Sequence, residues 1–417
     1  MKIAIIGAGP AGIALSFFLK NMQGDVWLFE KNAKIGDKFR LTGGGRMNLT
    51  NKNFSAEHFV SENERLLSHM FKSKWFSNIP ELLDELGIKY KWEGDRAISA
   101  SESGGQEVEL LSTKLGMQRN LQILTEKDVL KVSKKGNSFV VEYTDAGYCS
   151  DDGRGGTKEV FDAVVIASGG MVRIGEISEA SSIYKLVLGL GHGLTKLSPA
   201  LQPMSIKGNP FRDLSGVSIP ARLTDVAPPE STSEMAGRTH VGDILFTHGG
   251  LSGPGVLNFS LYFEEGHSAS MSFLPNVLAT DFSSKLKEKR NGKVRLRAFL
   301  KEFLPLSVCD FHMKLVAADK ESNVADLTKE QEKNLTKNLF KFEISVSQKS
   351  SYNDCWTTKG GVPLNEINVA TMESKKVPGL YLAGEILDAS GLCGGYNVSF
   401  AIASAKIIAE TLIRGKA

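Results

Sequence analysis

Gly7-Ala8-Gly9-Pro10-Ala11-Gly12 decides the fold. It follows the apolar run Lys2–Ile6 and opens the apolar stretch Ile13–Leu19, and Asp25–Glu30 reads as the next strand. Strand, glycine turn, helix and strand in that order open a dinucleotide-binding unit. The first glycine permits the tight turn, the second lets the backbone approach a pyrophosphate, and the third allows helix and strand to pack closely. The phosphates then face the positive end of a helix dipole. Glu30 closes the second strand, where a carboxylate accepts hydrogen bonds from ribose hydroxyls and disfavours a 2′-phosphate. Gly7, Gly9, Pro10, Ala11, Gly12 and Glu30 are therefore expected to bind a dinucleotide, with Lys31 beside them.

The same texture returns at the other end of the chain. Leu380–Ala383 reads as a strand, a glycine-rich loop follows, and Val398–Ile413 reads as a helix. Between the ends, Phe54–Leu86 has helical spacing, and Leu121–Val132, Ser138–Thr144 and Val160–Ala167 read as strands. The segment Gly147–Lys158 reads as a turn, and Ala227–Gly237 as an exposed hairpin connection. From Pro199 to Phe273 short β-rich runs are broken by Pro and Gly, as in a small barrel or sandwich, and Asp281–Phe342 reads as helical and polar. The expected class is α/β: a Rossmann-type domain built from both chain ends, residues 1–195 and 350–417, with a barrel-like part at 196–280 and a helical part at 281–349 inserted between them.

A chain of 417 residues is too long for one core of ordinary size. Fifty basic against forty-seven acidic side chains leave +3, so net charge points to no polyanionic partner. The run Lys285–Lys301 is locally basic, but such a run is commonly a solvated helix face, and a nucleic-acid partner is not expected from it. Cys149, Cys309, Cys355 and Cys393 lie far apart and form neither a zinc site nor a redox dithiol, so no metal is expected. Glycines interrupt the opening apolar stretch, no convincing leader-cleavage site follows, and no apolar run reaches the length of a membrane span. A cytoplasmic protein without a membrane partner is the expectation; nothing in the sequence speaks to oligomeric state.

Two further clusters carry chemistry. Leu41–Asn51 contains Gly43, Gly44 and Gly45, then Arg46, Met47 and Asn48. Exposed backbone N–H groups beside one cation suit oxyanions or flavin carbonyls, although a flexible loop with capping asparagines has the same composition. Gly384, Glu385 and Asp388, followed by Gly394, Gly395, Tyr396 and Asn397, place acidic groups after a strand and a glycine pair at a helix start. The acids suit ribityl hydroxyls and the glycine pair an electron-accepting ring edge; Asn397 also suits a plain N-cap. Val129, Ala167 and Gly169 are taken as further cofactor contacts. His248, in the loop Phe246–Pro254, is either an acid–base group or a ring bonded to a loop carbonyl. Tyr352 and Tyr396 read as packing groups, and with no cysteine near Cys393 in sequence, redox use of its thiol is not expected.

Taken together, these blocks resemble the HI0933-like family of bacterial flavoproteins, whose members are described as NAD(P)/FAD-dependent oxidoreductases or aminoacetone-oxidase-like enzymes. The resemblance runs over nearly the whole chain: Gly7–Gly12, Glu30-Lys31, Thr42–Asn51, Ala167–Gly170, Gly191-His192, Pro199–Leu201, Leu245–Pro254, Thr358–Val362, Thr371–Ser374, Gly379–Asp388 and Gly394–Asn397. It implies FAD on a split Rossmann domain, with an inserted barrel and helical region over the flavin. Met47 stands where that family usually has Cys, and Gly94–Ser101 matches its pattern only loosely.

No second Gly-x-Gly-x-x-Gly follows a strand; Gly189–Gly193 and Gly249–Gly255 lack the spacing. A dedicated nicotinamide domain is therefore not expected, and electrons come from a transiently docked NAD(P)H or from the substrate. The leading expectation is a reductase passing hydride from NAD(P)H through flavin to an activated double bond of a small organic acceptor. An amine oxidase and a flavin-bearing RNA-modifying or redox-sensing protein are the alternatives.

Overall fold

The computed structural model describes residues 1–146, 156–172, 182–231, 236–347 and 352–415. Cys149, most of the Gly147–Lys158 turn and part of the Ala227–Gly237 connection lie outside the described residues. The chain divides into two compact units, one comprising Met1–Pro199 with Thr357–Ala417 and the other Ala200–Trp356.

The first unit is a doubly wound α/β layer. Its sheet runs Ile367–Asn368, Glu373–Ser374, Leu380–Leu382, Ala163–Ile166, Lys2–Ile6, Asp25–Phe29, Leu121–Leu124 across space, and the last five strands are parallel. Both ends of the chain thus contribute to one sheet, and the C-terminal helix Tyr396–Arg414 packs against the first helix, Pro10–Phe18. Strand order reverses at Lys2–Ile6, which lies between strands 25–29 and 163–166. In open α/β sheets a ligand crevice forms beyond the carboxyl ends of the strands at such a point. An antiparallel sheet of Lys127–Lys135, Ser138–Asp145 and Thr157–Phe161 accompanies this layer.

Three runs are divided differently from the sequence expectation. Leu121–Val132 is two strands in two sheets, separated at Glu126, whose φ is +55°. Val160–Ala167 is likewise split at Asp162, whose carboxylate accepts from the backbone N–H of Lys2 at 2.7 Å. Phe54–Leu86 contains a 3-10 turn, Ala56–His58, and a two-residue strand, Phe59–Val60, before three short helices at Glu64–Met70, Lys74–Ser77 and Ile79–Glu85.

The second unit contains a six-stranded sheet with the spatial order Met204–Ser205, Gly250–Ser252, Thr239–Phe246, Ser218–Val226, Ser268–Ser272, Phe342–Ile344. It closes on itself: Lys207 N donates to Ser345 O at 2.8 Å and Ser347 N to Ser205 O at 2.9 Å, about an Ile206–Val346 bridge. The closing strand lies inside the stretch expected to be helical, because the chain returns to the barrel after helices Ala279–Lys289, Leu296–Leu300, Leu306–Leu315 and Lys329–Phe340. Barrel and helices consequently share one apolar core. Closure also removes the unpaired sheet edges that would otherwise invite aggregation.

His312 is fully buried in that core, edge-on to Phe273 at 4.4 Å between ring centroids, and neither ring nitrogen finds a partner among the described residues. Burial pushes its pKa down to about 3 from an ordinary 6.5. The unfolded chain therefore takes up a proton that the fold refuses, so stability is complete above pH 6.5 and falls as pH drops from 6.5 towards 3. At pH 5 the loss from this one group is roughly 2 kcal/mol. His312→Leu should shrink the difference in unfolding free energy between pH 7 and pH 5 by about that amount. Denaturant titrations at the two pH values check this; parallel losses in parent and variant would show that His312 does not titrate.

No helix of the described residues is long and apolar enough to cross a membrane.

Candidate cofactor site

The three glycines of the opening turn divide the work as their spacing suggests. Gly7 adopts φ +104°, and a Cβ there would stand 2.6 Å from the Ala167 carbonyl oxygen. A Cβ on Gly12 would overlap the Gly7 carbonyl oxygen. At Gly9 nothing lies within 4 Å of that position, so the backbone is open to a ligand on that side. The helix opens at Pro10 with Gly9 as its cap residue and no side chain occupying its first N–H groups. The turn, in short, is closed towards the protein and open towards the helix N-terminus, which fits a pyrophosphate.

A cleft of about 70 Å³ continues from the turn. Gly7, Glu30, Lys31 and Val129, all expected cofactor contacts, line it together with Ser168 and with Asp128, which the sequence did not single out. The Ser168 hydroxyl is buried and has no partner among the described residues, and a ligand hydroxyl or phosphate would satisfy it. Burial raises the pKa of Asp128, against which the charge of Lys31 acts. Glu30 is itself held in place: its carboxylate accepts from Ala8 N at 3.0 Å and from Asn32 N at 2.9 Å. One face of the carboxylate is thus structural, a role that residue type and position alone do not disclose. Glu30→Ala should weaken FAD binding by about 1–3 kcal/mol and, because two N–H groups lose their acceptor, destabilise the fold by a comparable amount. Glu30→Gln keeps one of the two acceptors, so FAD titration should still report weakening while the melting temperature falls less than in Glu30→Ala. Equal dissociation constants for Gln variant and parent would direct the Glu30 charge elsewhere.

Around the second cluster the structure corrects several expectations. Gly43, Gly44 and Gly45 all take positive φ, and nothing stands near the Cβ positions of Gly44 and Gly45. Arg46, however, is no free cation: its guanidinium pairs with the Glu93 carboxylate. Glu93 follows from no local pattern; it comes from the strand Tyr90–Glu93, two strands over from Asn48–Asn51. Met47 is fully buried with φ +61°, and the Asn48 side-chain oxygen would lie 2.6 Å from a Cβ on Gly43, so Asn48 braces the turn.

Near the C-terminus, Asp388 is almost wholly buried and accepts from Glu62 N at 2.8 Å and Ser61 Oγ at 3.1 Å. Burial raises its pKa, opposed by those two donors. It therefore anchors a loop rather than presenting a free carboxylate. Asn397 is not an N-cap: Gly395 is, with φ +98°, and both amide groups of Asn397 bond the backbone of Gly391, at 2.8 and 2.9 Å. Tyr396 packs among Phe54, Phe59 and His58, and burial pushes its hydroxyl up to about 12. Glu385 spends Oε1 on Thr357 Oγ1 at 2.9 Å and Thr358 N at 2.8 Å, while Oε2 points towards Gly169. Gly384 lies at φ +73° between Ala11 and Ala401, joining this loop to the first helix. Gly394 abuts Asn51 and Arg96, which brings the second and third glycine clusters together. Burial lifts the Cys393 thiol to about 12, in keeping with an inert group.

His248 belongs to the other unit, where it is exposed on the turn between strands 239–246 and 250–252; its backbone carbonyl accepts from Asn209 Nδ2 at 2.8 Å. Among the described residues no group of three His, Cys, Asp or Glu side chains could hold a metal ion.

The HI0933-like protein Rossmann domain matches residues 1–411. Two ribosomal RNA dihydrouridine synthases are similar: that of Haemophilus influenzae at 27% identity over 98% of each chain, and that of Escherichia coli at 28% over 99% of this chain and 98% of its own. A 3-dehydro-bile acid delta(4,6)-reductase of Clostridium scindens is 26% identical over 97% of both chains.

Proposed function

The chain belongs to the HI0933-like family and is an FAD-dependent oxidoreductase, and from that premise we propose that it is a reductase of conjugated carbon–carbon double bonds, supplied with hydride by NAD(P)H. The observation that carries the reading is a coincidence of chemistry. A dihydrouridine synthase and a delta(4,6)-reductase act on unrelated molecules, yet both names denote the saturation of a C=C bond, and both proteins align with this chain from end to end. None of the three relatives carries amine oxidation in its name, which leaves the amine oxidase alternative unsupported.

In this reading the N–H groups of the Gly7–Gly12 turn cradle the pyrophosphate, and Glu30 takes the adenosine ribose. Gly43-Gly44 and Gly394-Gly395 supply backbone donors to the ring system, the N–H groups of Gly45, Arg46 and Met47 being spent within the turn, and Glu385 meets the ribityl chain through its second oxygen. FAD, when bound, supplies the capacity to accept a hydride and pass it on. Saturating a double bond also consumes a proton, which an acid at the substrate site must supply. The absence of a second glycine fingerprint from the sequence favours a nicotinamide that docks transiently.

A narrower second reading is favoured by the two relatives named for ribosomal RNA: the acceptor is a uracil ring in RNA. Net charge gave no reason to expect this. Of the basic run, Arg290, Arg295 and Arg297 are spent on Glu332, Glu321 and Asp310, whereas Lys285, Lys287, Lys293 and Lys301 are exposed. Assays of NADH and NADPH oxidation with a cyclic enone, a uridine-rich ribosomal RNA fragment and a primary amine separate these readings. Nicotinamide oxidation dependent on an enone or on uridine is expected; turnover of the amine alone would overturn the reductase reading.

A further inference from the structure

We propose that Lys38 is a clamp that closes over the pyrophosphate of the bound dinucleotide, an inference that rests on the FAD reading above. In the sheet, strand Lys2–Ile6 lies between Asp25–Phe29 and Ala163–Ile166. Lys38 belongs to the segment that follows the first of these neighbours, and Gly170 to the segment that follows the second. The Lys38 ammonium nevertheless donates to the Gly170 carbonyl at 3.1 Å. Its side chain therefore joins the segments that leave the two strands flanking Lys2–Ile6, the strand from which the Gly7–Gly12 turn continues.

The segment bearing Lys38 is fixed alongside that turn. Gly36 N donates to Ala8 O at 2.8 Å, Arg40 N to Gly36 O at 3.0 Å, and Leu41 N to Lys38 O at 3.1 Å. On the far side, a Cβ on Gly169 would lie 3.7 Å from the Lys38 ammonium and 3.9 Å from Glu385 Oε2, so cation and carboxylate flank the same glycine. Among the described residues no carboxylate forms an ion pair with Lys38, in contrast to Arg46 and its partner Glu93. A helix N-terminus supplies only about half a positive charge. Two phosphates carry about two negative charges, so an ammonium without an ion-pair partner among the described residues, on a segment bonded to the glycine turn, has an electrostatic task that the turn leaves unfinished.

The test uses the full chain stripped of flavin and titrated with FAD, ADP and adenosine, in the parent, Lys38→Met and Lys38→Arg. Lys38→Met is expected to weaken FAD and ADP about 10–100-fold, the loss of one charge-assisted contact, and to leave adenosine unchanged. Lys38→Arg should recover most of the loss. The midpoint potential of bound flavin should not move, because the charge of the pyrophosphate is the same in both redox states. Equal FAD affinity in parent and Met variant would overturn the clamp. Adenosine weakened as much as ADP would overturn it too, reducing Lys38 to a tie between two loops. A lowered potential would place the ammonium at the ring system instead. A parent that takes up neither FAD nor ADP would overturn the flavin reading itself, and the clamp with it.

Discussion

Gly12→Ala is expected to abolish FAD retention and to lower thermal stability at the same time. The added methyl would overlap the Gly7 carbonyl oxygen and reach within 3.4 Å of Leu28 Cδ1. The turn cannot retreat, because Gly7 is already wedged against Ala167 and Ser168 on its other side. Helix and strand must therefore separate, at a cost on the order of 3–5 kcal/mol, and the phosphate cradle separates with them. In affinity that corresponds to a loss of about a hundredfold to several thousandfold. Gly9→Ala supplies the contrast. Its methyl would meet no protein atom within 4 Å, so the melting temperature should hold, while the methyl intrudes on the side where a pyrophosphate approaches. Loss of FAD without loss of stability at Gly9, and loss of both at Gly12, is the expected pair of results from FAD titration and thermal melts. A Gly9→Ala protein that binds FAD as the parent does would remove the pyrophosphate from this turn.

Gly395→Ala is expected to slow flavin reduction more than it loosens the cofactor. Gly395 caps the C-terminal helix at φ +98°, and a Cβ there would stand 2.5 Å from Thr50 N and 2.7 Å from Thr50 Cα. Thr50 is buried in the strand Asn48–Asn51, directly after the triple-glycine turn, and Ser399 of the same helix donates to Leu49 O at 3.1 Å. Pushing the helix start off this strand displaces both segments assigned to the ring system first, while the Gly7–Gly12 turn keeps its own contacts to Ala167 and Ser168. A displacement near 1 Å at a reacting centre can cost about a hundredfold in rate. Stopped-flow reduction beside an FAD titration checks the split. Equal proportional losses in rate and affinity would mean that Gly395 supports the whole site rather than its reacting end.

These variants also mark how far the sequence was legible. The glycine turn was readable because each of its three positions answers to a local steric demand, and the distances around Gly7, Gly9 and Gly12 fit those demands. The strand breaks at Glu126 and Asp162 were not: apolar residues flank Asp162 directly, the polar stretch Thr125–Asp128 does not by itself end a strand, and only pairing in three dimensions assigns the halves to different sheets. Barrel closure through Ile206 and Val346 joins residues with the entire helical stretch between them. Asp388 and Asn397 illustrate a different limit. A carboxylate or an amide after a strand looks the same in sequence whether it serves a ligand or, as here, a neighbouring backbone N–H. Arg46 looked like an available cation because Glu93 is distant in sequence, and Lys38 lay in no pattern until Gly170 was seen to accept from it.

Anaerobic stopped-flow mixing of the flavin-loaded protein tests the central claim most directly, first with NADH or NADPH and then with a conjugated C=C acceptor. The expected record is bleaching of the flavin by a nicotinamide, followed by recovery of its colour on adding the acceptor, with a product that has gained two hydrogens. A flavin that neither nicotinamide bleaches, or one that a primary amine bleaches instead, would contradict the account.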